Sequence, residues 1–321
     1  MHEIVVTGAG GFLGSHLVEA FVADRRDVCG IDNFSTGSRM NLNTFITAAN
    51  FELVTADLTK IRRVPVGKHY LHFASAASPP AYLQDPVGTL LVNSIGTQKI
   101  LEAARKADAV VLLASTSEVY GDPEVHPQSE SYWGHVNPIG PRSCYDEGKR
   151  YMEALAVAYR KTYGLDIRVA RIFNTYGPRM RPDDGRVVSN FITQGLRGTP
   201  LTIYGDGSQT RSFCYVSDMI NGLRLLLEAR PPVPSPINLG NPEEITILQT
   251  ANLVCQGLGI EPHFQFIGLP EDDPHVRRPD ITQAITVLRW TPKVSFREGL
   301  SQSINYFRSL APKDPGNPVI G

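Results

Sequence analysis

The sequence predicts an α/β fold, a doubly wound parallel sheet with a smaller α/β lobe. Three observations support this prediction. Short apolar runs alternate with helix-period stretches in the first half of the chain, a glycine-rich turn at residues 7–14 follows the first run, and Asp32 ends the second. Such alternation indicates a parallel sheet with helices on both faces, because each crossover between parallel strands needs a long connection, usually a helix.

Each predicted strand is a short apolar run that ends at a turn signal or at a polar residue. The predicted strands are residues 3–7, 28–31, 51–55, 70–74, 110–115 and 167–172. The predicted helices, which have a helical apolar period, are residues 13–23, 87–106 and 145–163. Parallel sheets of this type bind ligands beyond the carboxyl ends of their strands, where the chemistry-bearing residues of this chain cluster.

The character of the chain changes after residue 172. Loops at residues 177–186, 205–211 and 271–280 are long and rich in Gly, Pro or Arg. We predict a nucleotide-binding domain at residues 1–172, with a return segment at about 212–240, and a mainly substrate-binding lobe at residues 173–321.

The composition excludes several partner classes. Of the 321 residues, 42% are hydrophobic and 20% charged, which is ordinary for a soluble globular protein. The net charge of −1 gives no footprint for nucleic acid or for an anionic membrane. An anionic substrate must therefore be held by local Arg and Lys side chains.

The cysteines and the N-terminus favour a cytoplasmic location. No CxxC pair occurs, and we expect inert thiols in a reducing compartment, with a nucleophilic Cys144 as the minor alternative. No segment approaches the ~18 apolar residues of a membrane span. The first strand begins almost at once, which leaves no room for a signal peptide.

The turn at residues 7–14 has the spacing of a dinucleotide-binding turn. Gly8, Gly11 and Gly14 permit a tight turn, close approach of a pyrophosphate and tight helix packing. The helix that follows offers its N–H groups to phosphates. Asp32 suits both hydroxyls of an adenosine ribose and repels a 2′-phosphate, which favours NAD, although the nearby Arg39 keeps NADP open.

A second constellation suits removal of a proton from an alcohol. Thr116 ends a predicted strand, and Tyr145 and Lys149 lie one helical turn apart on a shared face. An ammonium near the phenol, together with the positive nicotinamide, is expected to lower the pKa of Tyr145 toward neutrality and make it a base. Thr116 is expected to hydrogen-bond the same substrate hydroxyl.

With these motifs the chain resembles the extended short-chain dehydrogenase/reductase family that remodels nucleotide sugars. The resemblance runs nearly end to end, through residues 114–126, 137–149, 171–190, 205–216 and 272–281. It implies a Rossmann-type fold, NAD as cofactor, a nucleotide-sugar substrate and a homodimer formed through a four-helix bundle. The residues themselves do not distinguish UDP from dTDP.

Within the family, the resemblance is to members that decarboxylate UDP-glucuronate through a UDP-4-keto intermediate to UDP-xylose. A 4,6-dehydratase would have Asp-Glu after Thr116, where Ser117-Glu118 stands here, and a 4-epimerase usually lacks the Glu. The implied catalytic residues are Thr116, Ser117, Glu118, Tyr145, Lys149 and Arg277.

The resemblance also implies roles for these residues. Ser117 would hydrogen-bond the sugar carboxylate, and Arg277 would reach the same region. Glu118 is expected to position the substrate and polarise the proton path, with a raised pKa. Two alternatives stay open: a 4,6-dehydratase or 4-epimerase acting on a dTDP- or UDP-hexose, and a catalytically silent NAD-binding module.

The predicted binding residues extend over both parts of the chain. The NAD contacts are Gly8, Gly11, Phe12, Leu13, Asp32, Asn33, Phe34, Thr36, Gly37, Asp57, Leu58, Phe73, Ser75, Tyr145 and Lys149. Asp57 is predicted near the adenine, with capping of a turn as the alternative. The substrate contacts are Tyr82, Asn174, Arg186, Val188, Asn190, Tyr204, Gln209, Arg211 and Arg277. No metal site is predicted.

One segment departs from the family pattern. Decarboxylases of this type tend to carry lysines at the positions of residues 86–93, which here read Pro-Val-Gly-Thr-Leu-Leu-Val-Asn. Loss of a cation there would weaken the hold on a 4-keto intermediate. We therefore expect release of some UDP-4-keto-pentose together with NADH.

Overall fold

The structure, a computed structural model, describes residues 1–269, 274 and 276–310. Residues 271–273 and 275 of the loop predicted at 271–280 lie outside the described residues, as does the end of the lobe predicted at 173–321. Of these, residues 272, 273 and 275 belong to the resembling segment 272–281, in which Arg277 itself is described.

Seven parallel strands form the central sheet, in the order β3-β2-β1-β4-β5-β6-β11. This arrangement confirms the predicted fold class. The strands of the large sheet are β1 (His2–Thr7), β2 (Val28–Asp32), β3 (Phe51–Thr55), β4 (Gly67–His72), β5 (Val110–Thr116), β6 (Ile167–Ile172) and β11 (Ile237–Leu239). The short strands are β7 (Thr175–Tyr176), β8 (Leu201–Tyr204), β9 (Thr210–Ser212), β10 (Cys214–Tyr215), β12 (Glu244–Thr246) and β13 (Phe264–Ile267).

Helices cover both faces of the sheet. They are α1 (Phe12–Ala23), α2 (Pro79–Gln84), α3 (Pro86–Leu91), α4 (Thr97–Ala107), α5 (Ser143–Tyr163), α6 (Val187–Leu196), α7 (Val216–Glu228), α8 (Ile247–Leu258), α9 (Thr282–Leu288) and α10 (Phe296–Leu310). Side chains alternate along β1, so that Ile4 and Val6 pack with α1 and α7, whereas Val5 packs with α4 and α5.

The helix predicted at residues 87–106 is interrupted. A π-helical segment, Val92–Gly96, joins α3 to α4. Within it the Asn93 side chain donates to the Thr89 carbonyl at 2.9 Å and to Ser75 Oγ at 3.0 Å. A Cβ atom at Gly148 would lie only 3.3 Å from Asn93 Cβ, so this glycine lets α5 pack closely on the π segment.

After β6 the chain builds small sheets and then returns to the large one. β7 pairs with β10, β8 with β13, and β9 with β12, while β11 joins the large sheet beside β6. The proposed division at residue 172 stays a prediction. No helix in the described part of the chain is long and apolar enough to cross a membrane.

Candidate active site

The strand order places a crevice between β1 and β4. To one side of β1 the order runs to β2 and β3, and to the other it runs through β4 to β5 and β6. At such a reversal the crossover helices leave in opposite directions, and a ligand enters at the carboxyl ends of the strands. The predicted cofactor residues follow β1, β2, β3 and β4, so they share this sheet edge.

The glycine-rich turn between β1 and α1 has no room for side chains. Gly8 has φ +71°, and a Cβ atom on it would lie 2.6 Å from the Phe73 carbonyl oxygen. A Cβ atom on Gly14 would collide with the Gly8 carbonyl. Helix α1 begins after Gly11 with no capping side chain and no acidic residue in its first turn, where Phe12 and Leu13 lie. Its N-terminus is therefore suited to an anionic phosphate group.

Asp32 is a buried carboxylate at the end of β2. One oxygen accepts from the Gly10 N–H at 2.8 Å and the other from the Phe34 N–H at 2.7 Å. Burial raises the pKa of Asp32, against the effect of these two hydrogen bonds. A carboxylate oxygen can accept more than one hydrogen bond, so both oxygens of Asp32 can still accept one from a ribose hydroxyl.

The loop after β2 closes around the glycine turn. A Cβ atom at Gly37 would lie 2.9 Å from the Gly10 carbonyl carbon, and the Asn33 side chain accepts from the Ser35 N–H at 3.0 Å. Thr36 lies in the same loop. The Arg39 guanidinium lies 4.5 Å from the centre of the Phe34 ring and donates to Thr55 Oγ1 at 3.0 Å.

Two other predicted cofactor positions have local structural partners. Asp57 accepts from the N–H and hydroxyl of Thr59 at 2.9 and 2.7 Å, as a turn-capping residue does. The Leu58 side chain is buried in the core next to α4. Contact of either residue with adenine stays a prediction.

The side chains predicted to react meet at the end of β5 and the start of α5. The rings of Tyr82 and Tyr145 stack with centroids 5.1 Å apart. Lys149 Nζ lies 5.7 Å from the centre of the Tyr145 ring and donates to the Ala114 carbonyl at 2.8 Å. A hydrogen bond with Thr116 is among the interactions of Tyr145.

In the protein alone, burial works against the charged forms of these groups. It raises the pKa of Tyr145, which the hydrogen bond with Thr116 only partly offsets. Burial also lowers the pKa of Lys149 to about 7 and that of the neighbouring His72 to about 3. In the protein alone, the pKa of Tyr145 is therefore not lowered as the sequence led us to expect.

Glu118 lies between two arginines. Arg277 Nη1 donates to Ser117 Oγ and to Glu118 Oε1, both at 2.9 Å, and Arg277 Nη2 donates to the Gly121 carbonyl at 2.8 Å. Arg142 Nη2 donates to Glu118 Oε2 at 2.7 Å. The structure thus brings Ser117, Glu118 and Arg277 together as predicted, and it adds Arg142.

The expectation of a raised pKa for Glu118 is wrong. Burial alone would raise it, but the positive charges of Arg277 and Arg142 outweigh burial and lower the pKa. Glu118 is therefore held as a carboxylate, because two guanidinium groups stabilise its charged form.

Arg277 is anchored by two residues that the sequence did not single out. Gln128 is fully buried; its side-chain oxygen accepts from the Arg278 N–H at 2.8 Å, and its own N–H donates to the Arg278 carbonyl at 2.9 Å. Asn238 on β11 donates to the carbonyls of Gln128 and Asp280, both at 3.0 Å. The segment on the C-terminal side of Arg277 is thereby fixed to the large sheet. Since these partners are separated by many residues in sequence, no local pattern indicates them.

The predicted substrate residues fall into two groups. Arg186 and Arg211 interact electrostatically with Tyr145 and Glu118, respectively, and so lie near the predicted catalytic residues. The other predicted positions have local contacts: the Asn174 carbonyl accepts from the Cys214 N–H, Val188 is buried in the core, the Asn190 amide donates to the Gly185 carbonyl, and the Gln209 amide donates to the Tyr204 carbonyl. Contact of these residues with the substrate stays a prediction.

Known proteins resemble this chain in sequence. Residues 4–240 match the family model of the NAD dependent epimerase/dehydratase family. The chain belongs to this family. UDP-glucuronic acid decarboxylase 1 of Danio rerio is 53% identical over 318 residues, which cover 99% of this chain and 75% of the relative. UDP-glucuronic acid decarboxylase 6 of Arabidopsis thaliana is 51% identical over 307 residues, which cover 95% of this chain and 89% of the relative.

Solved structures of this family have the same fold. UDP-glucuronic acid 4-epimerase from Bacillus cereus, in complex with UDP-glucuronic acid and NAD, has a TM-score of 0.87 and 30% identity, over 96% of this chain and 99% of the other. UDP-glucose 4-epimerase of Thermotoga maritima, with UDP-glucose, has a TM-score of 0.86 and 29% identity, over the same shares of the two chains.

The residues at the crevice fit NAD, the cofactor of the family. The glycine turn and the uncapped start of α1 would hold the pyrophosphate, and Asp32 would hold the adenosine ribose. Phe73 and Ser75 follow β4 on the side toward Tyr145, where Ser75 accepts from the Asn93 side chain at 3.0 Å.

Arg277→Lys tests the geometry of the arginine cluster, with Arg278→Lys as its matched control. Arg277 is 1% exposed, whereas the Arg278 side chain is 41% exposed and lies 3.7 Å from Glu244. Lysine lacks the planar fork, and hydrogen bonds to charged groups contribute about 1.5–3 kcal/mol each. We expect kcat/KM for UDP-glucuronate to fall by about a hundredfold in Arg277→Lys. Arg278→Lys should change it less than about fivefold; equal effects of the two changes would contradict the assignment.

Proposed function

We propose that this protein decarboxylates UDP-glucuronate in an NAD-dependent reaction, through a UDP-4-keto intermediate, to UDP-xylose. The observation that carries the proposal is the buried cluster of Arg277, Ser117 and Glu118 beside Tyr145. The identity of about one half to UDP-glucuronic acid decarboxylases over nearly the whole chain supports the same reaction.

Arg277 has one donor left for a substrate carboxylate. Its Nη atoms bind Ser117, Glu118 and the Gly121 carbonyl. Its Nε–H is buried and has no hydrogen-bond partner among the described residues. An unsatisfied buried donor is costly, and a carboxylate oxygen would satisfy it with a strong, charge-assisted hydrogen bond. A uronate supplies such an oxygen at C5, whereas a hexose does not.

Tyr145 and its neighbours would act on the C4 hydroxyl. Tyr145 takes the hydroxyl proton, and Thr116 hydrogen-bonds the same oxygen. Lys149, beside the Tyr145 ring, favours the phenolate when it is protonated. NAD, when bound, accepts the hydride from C4 and returns it later in the cycle.

The 4-ketone makes loss of CO₂ possible. It lies β to the C5 carboxylate, so when the bond between C5 and the carboxyl carbon breaks, the electron pair moves onto the C4 oxygen as an enolate. Arg277 orients the departing carboxylate, and the anionic Glu118 keeps the guanidinium in place. Protonation of C5 and reduction of C4 then complete the conversion, with Tyr145 returning its proton to the C4 oxygen.

Two other reactions, and a role without catalysis, are less consistent with this site. A 4-epimerase acting on UDP-glucuronate would match the bound ligand of one structural neighbour, yet the epimerase neighbours described above are only 29–30% identical to this chain. A 4,6-dehydratase would need an acid where Ser117 stands. A silent NAD-binding module has no use for Thr116, Tyr145, Lys149 and Glu118 together.

The proposal is tested with purified protein, UDP-glucuronate and NAD⁺. We expect CO₂ release and UDP-xylose formation, measured by trapping of label from carboxyl-labelled substrate and by chromatography of the nucleotide products. Tyr145→Phe should abolish both, because the ring remains but the proton acceptor is lost. A 4-epimer formed without CO₂ would overturn the proposal, and so would unchanged turnover in Tyr145→Phe.

Partial release of the intermediate is expected from the helix α3 region. The exposed side chains there are apolar, with Val87, Leu90 and Leu91 exposed by 64, 41 and 39%. Without a cation in this segment, we expect UDP-4-keto-pentose to accumulate beside UDP-xylose, with one NADH for each molecule released. Absorbance of NADH and quantification of both nucleotides measure this, and UDP-xylose as sole product would contradict it.

We further propose a cytoplasmic homodimer, formed through the face of α3, the π segment and α5. All four cysteines are buried free thiols, which supports a reducing compartment. Exposed apolar side chains cluster on these helices: Val87, Leu90, Leu91, Ile95, Tyr151 and Val157. Surfaces of this kind are typical of protein interfaces.

Val87→Glu tests the dimer, with Ile139→Glu as the control. Both side chains are exposed, by 64 and 92%, but Ile139 lies in the loop before α5. In sedimentation velocity we expect a dimer for the parent protein and for Ile139→Glu, and a monomer for Val87→Glu. A monomeric parent protein would contradict the proposal.

A further inference from the structure

Asp146, next to Tyr145 on α5, is a buried acid with no part in the steps described so far. It is 6% exposed, and its Oδ1 atom has no hydrogen-bond partner among the described residues. The hydroxyl of Tyr82, in the ring stacked on Tyr145, is also buried without a partner. Unsatisfied buried polar atoms are rare, and in this position they indicate a functional use.

The groups around Asp146 decide its charge. Asp146 interacts electrostatically with Glu118, Arg142 and Arg277, which lie outside α5, and with Glu147 on its own helix. It also interacts electrostatically with Tyr82, Tyr145 and Cys144. Burial raises its pKa and the negative charge of Glu118 raises it further, and together they outweigh the positive charges of Arg142 and Arg277, which lower it.

Two carboxylates in one buried cluster do not both ionise readily. Glu118 has direct hydrogen bonds from Arg277 and Arg142, whereas no described residue forms a hydrogen bond with Asp146 Oδ1. The negative charge therefore resides on Glu118, and the proton resides on Asp146. Burial and the charge of Glu118 thus make Asp146 the protonated member of the pair, although the arginines themselves oppose this.

The proposed decarboxylation consumes one proton per turnover. Loss of CO₂ leaves an enolate, and C5 must gain a proton that the departing carboxylate does not supply. Tyr145 gains a proton from the C4 hydroxyl, but it returns that proton to the C4 oxygen. Its balance over the cycle is zero, so a separate acid is required.

The other nearby groups do not serve as that acid. Glu118 has no proton to give, because two arginines hold it as a carboxylate. Lys149 donates to the Ala114 carbonyl on β5 and belongs to the machinery of Tyr145. Asp146 remains as the buried carboxylic acid of the cluster.

We propose that Asp146 supplies the proton that C5 gains after loss of CO₂. This inference rests on the proposed function. In the balanced step, the Asp146 O–H bond breaks, the enolate electron pair forms the C5–H bond, and the ketone re-forms at C4. The Asp146 carboxylate left behind regains a proton from water after the product leaves. Asp146 thus acts on the reacting carbon itself, unlike residues that only hold the substrate.

Asp146→Asn tests this role in single turnovers, with Glu147→Gln as the matched control. Glu147 is the next residue on α5, and its side chain is 37% exposed. General acids contribute about a hundredfold or more to a proton-transfer step. We expect NADH to appear at the parent rate in Asp146→Asn, and its re-oxidation to slow by about a hundredfold, with UDP-4-keto-pentose as the main product. Glu147→Gln should behave as the parent protein.

The charge of Asp146 is tested without turnover. Its pKa is raised in the folded protein, so its contribution to stability is full at low pH and falls as the pH rises from the ordinary Asp range through the raised value. Asparagine does not titrate. The melting temperature of Asp146→Asn, relative to the parent, should therefore increase with pH, and Glu147→Gln should show no such trend.

Infrared spectroscopy is a second test of the same charge. At neutral pH the parent should show the infrared carbonyl band of a protonated acid, absent in Asp146→Asn.

The outcomes separate this inference from the proposed function. If the parent protein releases CO₂ and Asp146→Asn re-oxidises NADH at the parent rate, the function stands and the role of Asp146 is overturned. The role is also overturned if the protonated-acid band is missing from the parent protein at neutral pH. A parent protein that releases no CO₂ overturns the proposed function itself.

Discussion

The contact between Arg277 and Glu118 is the constraint on which the site depends. A guanidinium group that is 1% exposed needs an anion beside it, and a buried carboxylate needs a cation. Each meets the need of the other, and Arg142 adds a second positive charge on the Glu118 side. With two cations to one anion, the cluster has excess positive charge, which suits a substrate carboxylate.

The same contact fixes protonation states at a distance from Arg277. Burial and the retained charge of Glu118 together disfavour the neighbouring Asp146 as an anion. On the cofactor side, burial rather than charge governs Lys149 and His72, whose pKa values both fall. The crevice thus contains an arginine-rich part beside Ser117 and a part around Lys149 and His72 where burial disfavours positive charge. Acid and base functions can operate next to each other because their surroundings differ.

The sequence was sufficient for the fold class and for residues in local motifs. The glycine turn, Asp32, Thr116, Tyr145 and Lys149 each belong to a short pattern whose geometry is set by its own strand or helix. The interruption of the helix at residues 92–96 was missed; it lies where α5 packs closely at Gly148, a contact between distant parts of the chain. The apolar period of a segment does not indicate which other element packs against it.

The errors at the site have the same origin. The raised pKa expected for Glu118 would have been correct for a carboxyl buried alone, but Arg277 stands 159 residues further along the chain. Gln128 and Asn238 were overlooked because they act through contacts between distant parts of the chain: Asn238 and Gln128 are 110 residues apart, Gln128 and Arg278 are 150 apart, and Asn238 and Asp280 are 42 apart. Charge states and anchoring follow from long-range contacts, which no local motif contains.

The anchoring of Arg277 has an evolutionary consequence. The family match ends at residue 240, so it includes Asn238 and the hydride and proton machinery but not Arg277. Asn238 holds the segment on the C-terminal side of the arginine through the Asp280 carbonyl. A change confined to the segment that carries Arg277 therefore alters the group offered to the substrate, while the cofactor residues and Asn238 stay the same. Related proteins can in this way differ in substrate and share one type of cofactor site.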